Sequence, residues 1–436
     1  MSFRRPGQRM SQRGLSQRGL SQRNKVLAFL CALSVITFVD RIAIAVAEPS
    51  VRTDLRLSPS QWGWVLSAYV LSNALFEIPS GVMGDRHGQR RELTRIVGWW
   101  SMFTAATGWC RTFWQLVSAR FLFGVGAAGA YPNAAGVIAR WFPRQEHARA
   151  QGFVWAASRL GGALAPLLLV PLSRVLGWRT VFWLLGVVGS VWAVAWWRWF
   201  RTDPAEMPGI SEQELAVIVS GGAHAKQQHA IPWRELLKLR SLNLLIVAYF
   251  WYGWGSWFFF GWFATWMVRG AHFTPAQMGV WASLPFFVAM LSNLVGGVVS
   301  RRLLMRFGAA KSYRTITSLC LLSGSALLLA MSLATGHVVI VVLATLAFGV
   351  MDLMLPSAWA MCMRLGGDFG GTATAMMNTA GNLGGWVSAV LFGYVVSATG
   401  NYELPLRGIS IAVLLAAVLF ACVDVSHGMP TESVQG

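Results

Sequence analysis

Six ionisable side chains lie in stretches otherwise nearly free of charge: Arg41, Arg120 and Arg159, against Asp40, Glu77 and Asp352. An ionisable group in mid-membrane costs about 2.5–3.5 kcal/mol on insertion scales, so it normally faces a cavity and a partner. Three cations against three acids permit two chemistries. They can neutralise one another as ion pairs that fix helix register, or the arginines can hold an anion that the chain moves. Arg159 is the sharpest candidate, because Gly161, Gly162 and Pro166 follow it, where backbones approach and a helix bends. A guanidinium grips a carboxylate through two parallel hydrogen bonds. Arg159 and Arg41 are therefore expected to hold an anion, a dianion included.

Arg120 shares a helix face with Gly124, Ala127 and Tyr131. For it, an ion pair with Asp40 and direct contact with substrate stay equally open. Asn378 and Asn382 are one turn apart and project from one face. Asn382 is favoured for orienting substrate, and Asn378 can equally bridge two helices. Seven histidines (87, 147, 224, 229, 272, 337 and 427) fall in loops or tails without metal-ligand spacing, and neither a nucleophile elbow nor a phosphate loop occurs. The expected protein is not an enzyme and holds no metal or cofactor.

The elements that must position these residues are apolar blocks of about 20 residues, the length that crosses a hydrocarbon core. They are expected at 26–48, 61–82, 93–110, 113–138, 150–173 and 179–200, then 241–268, 277–299, 315–335, 337–363, 372–397 and 406–424. Over the 436 residues 55% are hydrophobic and only 12% charged, against roughly a quarter charged in a soluble chain. The net charge of +19 does not indicate a nucleic-acid partner, because most Lys and Arg fall on the N-terminal tail and the loops after even-numbered spans. By the positive-inside rule both termini are cytoplasmic, in an inner membrane, with anionic lipid headgroups as neighbours. The five cysteines have no paired spacing and read as small core residues.

The chain divides into a basic low-complexity tail (1–25, with Ser11-Gln12-Arg13-Gly14-Leu15 repeated at 16–20), a six-span half (26–200), a polar linker (201–240), a second half (241–424) and a short tail (425–436). Ser211 and Glu214 form a capping-box pattern in the linker. The halves echo one another. Ala157 to Gly162 in span five matches Ala380 to Gly385 in span eleven, and Phe123-Gly124-Val125 matches Phe348-Gly349-Val350, each followed by a proline (Pro132, Pro356). Parallel repeats of this kind place a substrate site between the halves near the midplane, which sets Arg159 opposite Asn382.

After span two runs Gly81-Val82-Met83-Gly84-Asp85-Arg86-His87-Gly88-Gln89-Arg90-Arg91. It resembles the G-x-x-x-D-R-x-G-x-R-R loop of the major facilitator superfamily. The resemblance implies an all-α membrane protein of twelve transmembrane helices in two pseudo-symmetric halves. It also implies that Gly81, Asp85, Arg86, Gly88, Arg90 and Arg91 are a conformational latch. Gly297 to Phe307 is a degraded copy, with Arg301 where the acid should be. Phe38-Val39-Asp40-Arg41, Arg120 to Pro132, Trp141-Phe142-Pro143-Arg144 and Gly371 to Gly385 are similar to the anion:cation symporter family, which moves sugar acids and other organic anions. That likeness implies a small carboxylate substrate, proton-coupled symport by a monomer, and no partner beyond substrate and bilayer. It suggests Asn73, Tyr252, Trp257 and Ser357 as further substrate contacts, and Asp40, Arg120, Glu77 and Asp352 for proton coupling.

Two positions depart from the family. Ala127 stands where a proton-accepting glutamate follows the span-four arginine, and Asn73 stands for a tyrosine in span two. Alanine cannot titrate, so Asp40 becomes the expected proton carrier, with Glu77 and Asp352 as second sites; by the repeat, Asp352 is the counterpart of Ala127. An exchanger or uniporter remains the alternative. A drug antiporter is disfavoured, because Gly161 to Pro171 does not fit its motif.

Overall fold

A computed structural model describes residues 21–143, 146–220, 233–366 and 370–426. The serine-glutamine-arginine repeat, residues 221–232 of the linker, Arg144 and most of the C-terminal tail lie outside them. Within those ranges the surroundings of Gly81 and Gly371 and the side chains of Asp85 and Arg301 are not described either.

Helices stand at all twelve expected positions. The first half has Gln22–Val46, Pro59–His87, Gln89–Thr107, Phe113–Ala127 continued by Ala130–Trp141, His147–Leu176 and Trp178–Trp199. The second has Arg240–Gly261 continued by Phe263–Arg269, Pro275–Trp281 continued by Ser283–Phe307, Ala309–Leu333, His337–Leu353 continued by Leu355–Gly366, Gly370–Thr399 and Glu403–Cys422. They are called spans one to twelve below. Ten stretches among the described residues are long and apolar enough to cross a bilayer. Span three falls short because its first two turns carry Arg90, Arg91, Glu92 and Arg95. Val187, Val188, Val191 and Val194 of span six face outward, while Gly186, Gly189, Trp192 and Trp196 between them are buried. An outer apolar surface of this kind suits lipid rather than water.

The repeat runs deeper than the matched residues suggested. Spans two and eight open on the same capping box, Ser58-Pro59 with Gln61 and Thr274-Pro275 with Gln277. Spans two and eight end at glycines with positive φ, Gly88 (82°) and Gly308 (77°), and spans five and eleven at Gly177 (77°) and Gly400 (68°). Only glycine takes such a backbone without cost. Within each half the pairings correspond: span one packs on five as seven packs on eleven, and two on four as eight on ten. The two halves meet through spans two and eleven and through five and eight.

Trp62, Trp100, Trp141, Trp196, Trp262 and Trp266 are fully buried. One expectation about residue type is corrected. Cys110 and Cys362 are buried, but Cys422 is exposed. In the linker, Ser211 accepts from the Glu214 N–H (3.1 Å) as expected. The Glu214 carboxylate, however, caps a different helix: it accepts from the backbone N–H groups of Gln22 (3.2 Å) and Arg23 (2.8 Å) at the start of span one. Span one has orphan donors there, and a carboxylate at a helix N-terminus is favoured.

Call the end of the bundle with Gln22 and the linker the basic face, and the other the far face. On the far face the halves are sealed. The Ser60 N–H donates to Ser397 (2.9 Å), and the Trp64 indole donates to Tyr394 (3.2 Å). A Cβ on Gly63 would lie 2.7 Å from the Ala389 carbonyl, so the backbones touch. Beyond span one, fully buried Glu48 accepts at one oxygen from Arg52 of its own half (2.8 Å) and Arg269 of the other (2.8 Å). Arg269 is therefore the leg that ties the halves. Arg269→Gln is expected to lengthen the separation between spin labels at Thr53 and Ala276, both exposed, by favouring a far-face-open population. An unchanged distance distribution would mean that the seal does not depend on this pair.

Candidate functional site

The six charges named from the sequence separate into three arrangements. Arg159 of span five and Asp352 of span ten form a two-pronged pair across the halves, Nε to Oδ2 at 2.6 Å and an NH2 group to Oδ1 at 3.1 Å. Both are buried, at 7% and 0% exposure. Asn293 donates to the same carboxylate (2.9 Å), as does the Tyr252 hydroxyl (3.4 Å). The expected opposition of Arg159 and Asn382 is thus replaced. Asp352 stands at mid-span where its counterpart in the first half is Ala127, and the acid that only the second half carries is met by Arg159 reaching across from span five of the first.

Asn378 and Asn382 turn instead to Glu77. The Asn378 amide donates to both carboxylate oxygens (2.8 and 3.0 Å) and the Asn382 amide to one (3.3 Å). The shared face of span eleven was legible, but its partner was not. This contact joins spans two and eleven nearer the basic face than the seal just described.

Between the two closures lies the third arrangement, a cavity of about 20 Å³ lined by Arg41, Tyr69, Arg120, Trp257, Phe260 and small or aliphatic residues. It has room for roughly one water, and it lies between those two contacts of the halves. Order along span two shows this: Ser60 and Trp64 at the far seal, Leu66, Tyr69 and Val70 on the cavity, then Glu77. Gly63 to Glu77 covers about 20 Å of helix.

Arg41 and Arg120 form no ion pair among the described residues. Arg41 lies over Phe38 (4.8 Å), Tyr69 (5.2 Å) and Tyr131 (5.9 Å), and Arg120 over Phe123 (4.4 Å) and Tyr69 (5.6 Å). Cation–π contact compensates part of their desolvation. Nε of Arg41, Nε and one terminal nitrogen of Arg120, and the Tyr69 hydroxyl are all buried without a hydrogen-bond partner. Asp40 does not pair with Arg120. It is fully buried with both oxygens unpartnered, facing Trp100 and Thr104 of span three, whose own polar atoms are unpartnered too.

The remaining expected contacts divide. Trp257 lines the cavity, 6.0 Å from Tyr69. Tyr252 is committed to Asp352, and Ser357 donates to Ser300 (3.0 Å) as a bridge from span ten to span eight. Asn73 is buried but is not on the cavity wall. Tyr69, one turn earlier on the same face, occupies that wall, and the i to i+4 spacing from Asn73 was the available signal. Phe260, Asn293 and Glu48 were also missed. In the loop after span two, Gly84 allows the expected close approach, since a Cβ there would overlap Asn133 of span four. Arg90 donates to the Trp197 carbonyl (2.9 and 2.6 Å) and lies over that ring, while Arg86 and Arg91 are exposed.

Paired helical halves with a small charged cavity between them, flanked by contacts that join the halves, are the architecture of a membrane transporter rather than an enzyme. The sequence profile of the Major Facilitator Superfamily matches residues 30–389, and the chain belongs to that family. It is 32% identical to a probable sulfoacetate transporter of Cupriavidus necator, over 91% of this chain and 93% of that one. It is 27% identical to a hexuronate transporter of Bacillus subtilis, over 94% and 97%. It is 27% identical to a probable galactarate/D-glucarate transporter of the same species, over 90% of each chain. Among solved structures, a bacterial homologue of the human lysosomal transporter Spinster, inward-facing and occupied, superposes with a TM-score of 0.75 at 18% identity, covering 91% of this chain and 96% of that one. That likeness is one of fold.

Removing one partner of a buried pair leaves an uncompensated charge and typically costs 3–5 kcal/mol. Arg159→Gln and Asp352→Asn are each expected to lose about that much stability, and the double variant to recover most of it. Thermal unfolding of the three purified variants reads this out, and simple additivity would reject the pairing.

Proposed function

We propose that the chain carries small organic anions through the bilayer by alternating access, with proton-coupled symport as the mode. The carrying observation is that Arg41 and Arg120 face the cavity between the halves with no acid in ion-pair contact with either among the described residues. Two uncompensated guanidinium groups in a buried cavity favour an anionic occupant, whose oxygens supply the missing acceptors. The names of the relatives, all carriers of organic acids, agree with such a cargo. Arg159, with its charge already met by Asp352, is secondary in the closed form.

Asp40 is the best candidate for the coupling proton. Its carboxylate faces Trp100 and Thr104 of its own half, so a proton can join or leave it without breaking a contact between the halves, whereas Asp352 and Glu77 hold bonds across them. Asp40 and Arg120 also feel each other's charge, so a change at Asp40 alters the anion site. Exchange or uniport is the second reading, favoured by Ala127 in place of a proton acceptor. The cation-rich loops put the basic face in the cytoplasm, with both termini there.

Uptake of a labelled organic acid into proteoliposomes, with and without an inward proton gradient, tests the scheme. Arg41→Gln and Arg120→Gln are each expected to lower uptake at least about ten-fold, the loss of one charge-assisted contact. Arg41→Lys is not expected to rescue, because an ammonium lacks the planar fork. Indifference to the gradient would leave exchange or uniport, and full uptake by both glutamine variants would remove the anion site.

A further inference from the structure

We infer that the cavity selects compact dianions with few or no hydroxyl groups, such as a carboxylate joined to a second carboxylate or a sulfonate by a short carbon spacer, over polyhydroxylated sugar acids. The inference rests on the anion reading above and narrows it. The relatives' names do not decide the matter, since they include both kinds of acid.

The polar groups on the cavity wall are donors. Arg41 and Arg120 cannot accept a hydrogen bond, and the Trp257 indole N–H can only donate. The Tyr69 hydroxyl is the one group there able to do both. The rest of the wall is hydrocarbon or glycine, including Ile44, Leu66, Val70 and Phe260. Acceptors within reach of the interior are already engaged. Glu77 is taken by Asn378 and Asn382, and Asp352 by Arg159, Asn293 and Tyr252. Asp40 is unpartnered, but it faces span three and is not on the cavity wall. Thr379, whose hydroxyl is also unpartnered, lies off the wall too.

A wall whose side-chain donors leave one hydroxyl as acceptor matches a ligand whose polar atoms only accept, which is the chemistry of carboxylate and sulfonate oxygens. A hydroxyl must donate as well, and burying it without an acceptor leaves it unsatisfied. A hexarate brings four such groups, and Tyr69 can serve at most one. Two cations flanking one ring, at 5.2 and 5.6 Å from the Tyr69 centroid, suit two anionic heads. The aliphatic part of the wall suits a bare spacer. The small cavity adds a volume term in the same direction, because each added CHOH unit requires further expansion.

The test uses the full-length protein in proteoliposomes, with sulfoacetate, malonate and succinate as compact dianions. Galactarate serves as a dianion with four hydroxyls, glucuronate as a polyhydroxylated monoanion and acetate as a bare monoanion. Each is scored by direct uptake and by the concentration that half-inhibits uptake of the best substrate. Compact dianions should act at concentrations at least about ten-fold below both galactarate and acetate. Galactarate or glucuronate as effective as the compact dianions would overturn the inference and leave the anion reading standing. Acetate equal to malonate would overturn it as well, by removing the need for two cations. Uptake of none of the six would overturn the anion reading together with this one.

Discussion

The interior of a membrane-spanning bundle offers no bulk water to a charge, so every buried ionisable group must find a partner or be left for a ligand. That constraint orders the whole molecule. Glu48, Glu77 and Asp352 are acids held between the halves, and each accepts from a donor of the opposite half, Glu48 at one oxygen only. Arg41 and Arg120 are left over, laid on aromatic faces that compensate them incompletely. The cavity they line is the place where charge balance is unfinished. Asp40 is the complementary exception, an acid with unpartnered oxygens one layer behind Arg120.

Packing reaches this arrangement without a hydrophobic drive between lipid-bathed helices, so it relies on close approach. Glycines supply it at matched places in the two halves. A Cβ on Gly161 would meet the Val35 backbone of span one, and one on Gly384 the Phe250 backbone of span seven. Gly124 sits against span two and Gly349 against span eight in the same way. The repeated glycines position the charges, because Arg159 lies half a turn before Gly161 and Asp352 one turn after Gly349.

Much of this could be read from residue order. The apolar blocks gave all twelve spans, most ends to within a few residues; span eight runs eight residues further, span nine begins six earlier and span three four earlier, where charged turns extend the helices. The six buried charges were legible as a set, since each interrupts an apolar run. Their pairing was not legible. A sequence match between spans five and eleven puts Arg159 and Asn382 at equivalent positions, but equivalence under a repeat does not imply contact; it places them in different halves on corresponding faces. Contact runs from span five to span ten and from span two to span eleven, and only three-dimensional packing sets those neighbours. Tyr69 escaped notice for a related reason. Attention fell on Asn73, where a tyrosine was expected, while the ring stood one turn away on the same face. The paired Ser-Pro and Thr-Pro caps before spans two and eight were in plain view as repeat evidence, at positions more regular than the matches that were used.

The contacts between the halves differ in what each would leave behind on parting. Glu48 has Arg52 within its own half, so it stays paired if Arg269 withdraws. Asp352 keeps Asn293 and Tyr252, both of its own half, if Arg159 withdraws. Glu77 keeps none of the hydrogen-bond partners found for it among the described residues, since Asn378 and Asn382 both belong to the other half. Opening the far face is therefore the cheaper movement for the acids, and opening at Glu77 needs water or a nearby cation to take over. Arg41 is that cation, close enough for its charge to act on Glu77, and it already lies at the anion cavity. An anion bound to Arg41 competes for the charge that Glu77 would need. In this way the occupancy of the cavity and the closure at the basic face draw on one guanidinium. A single shared cation is a sufficient physical link between binding and gating, and it requires no longer chain of couplings through the bundle.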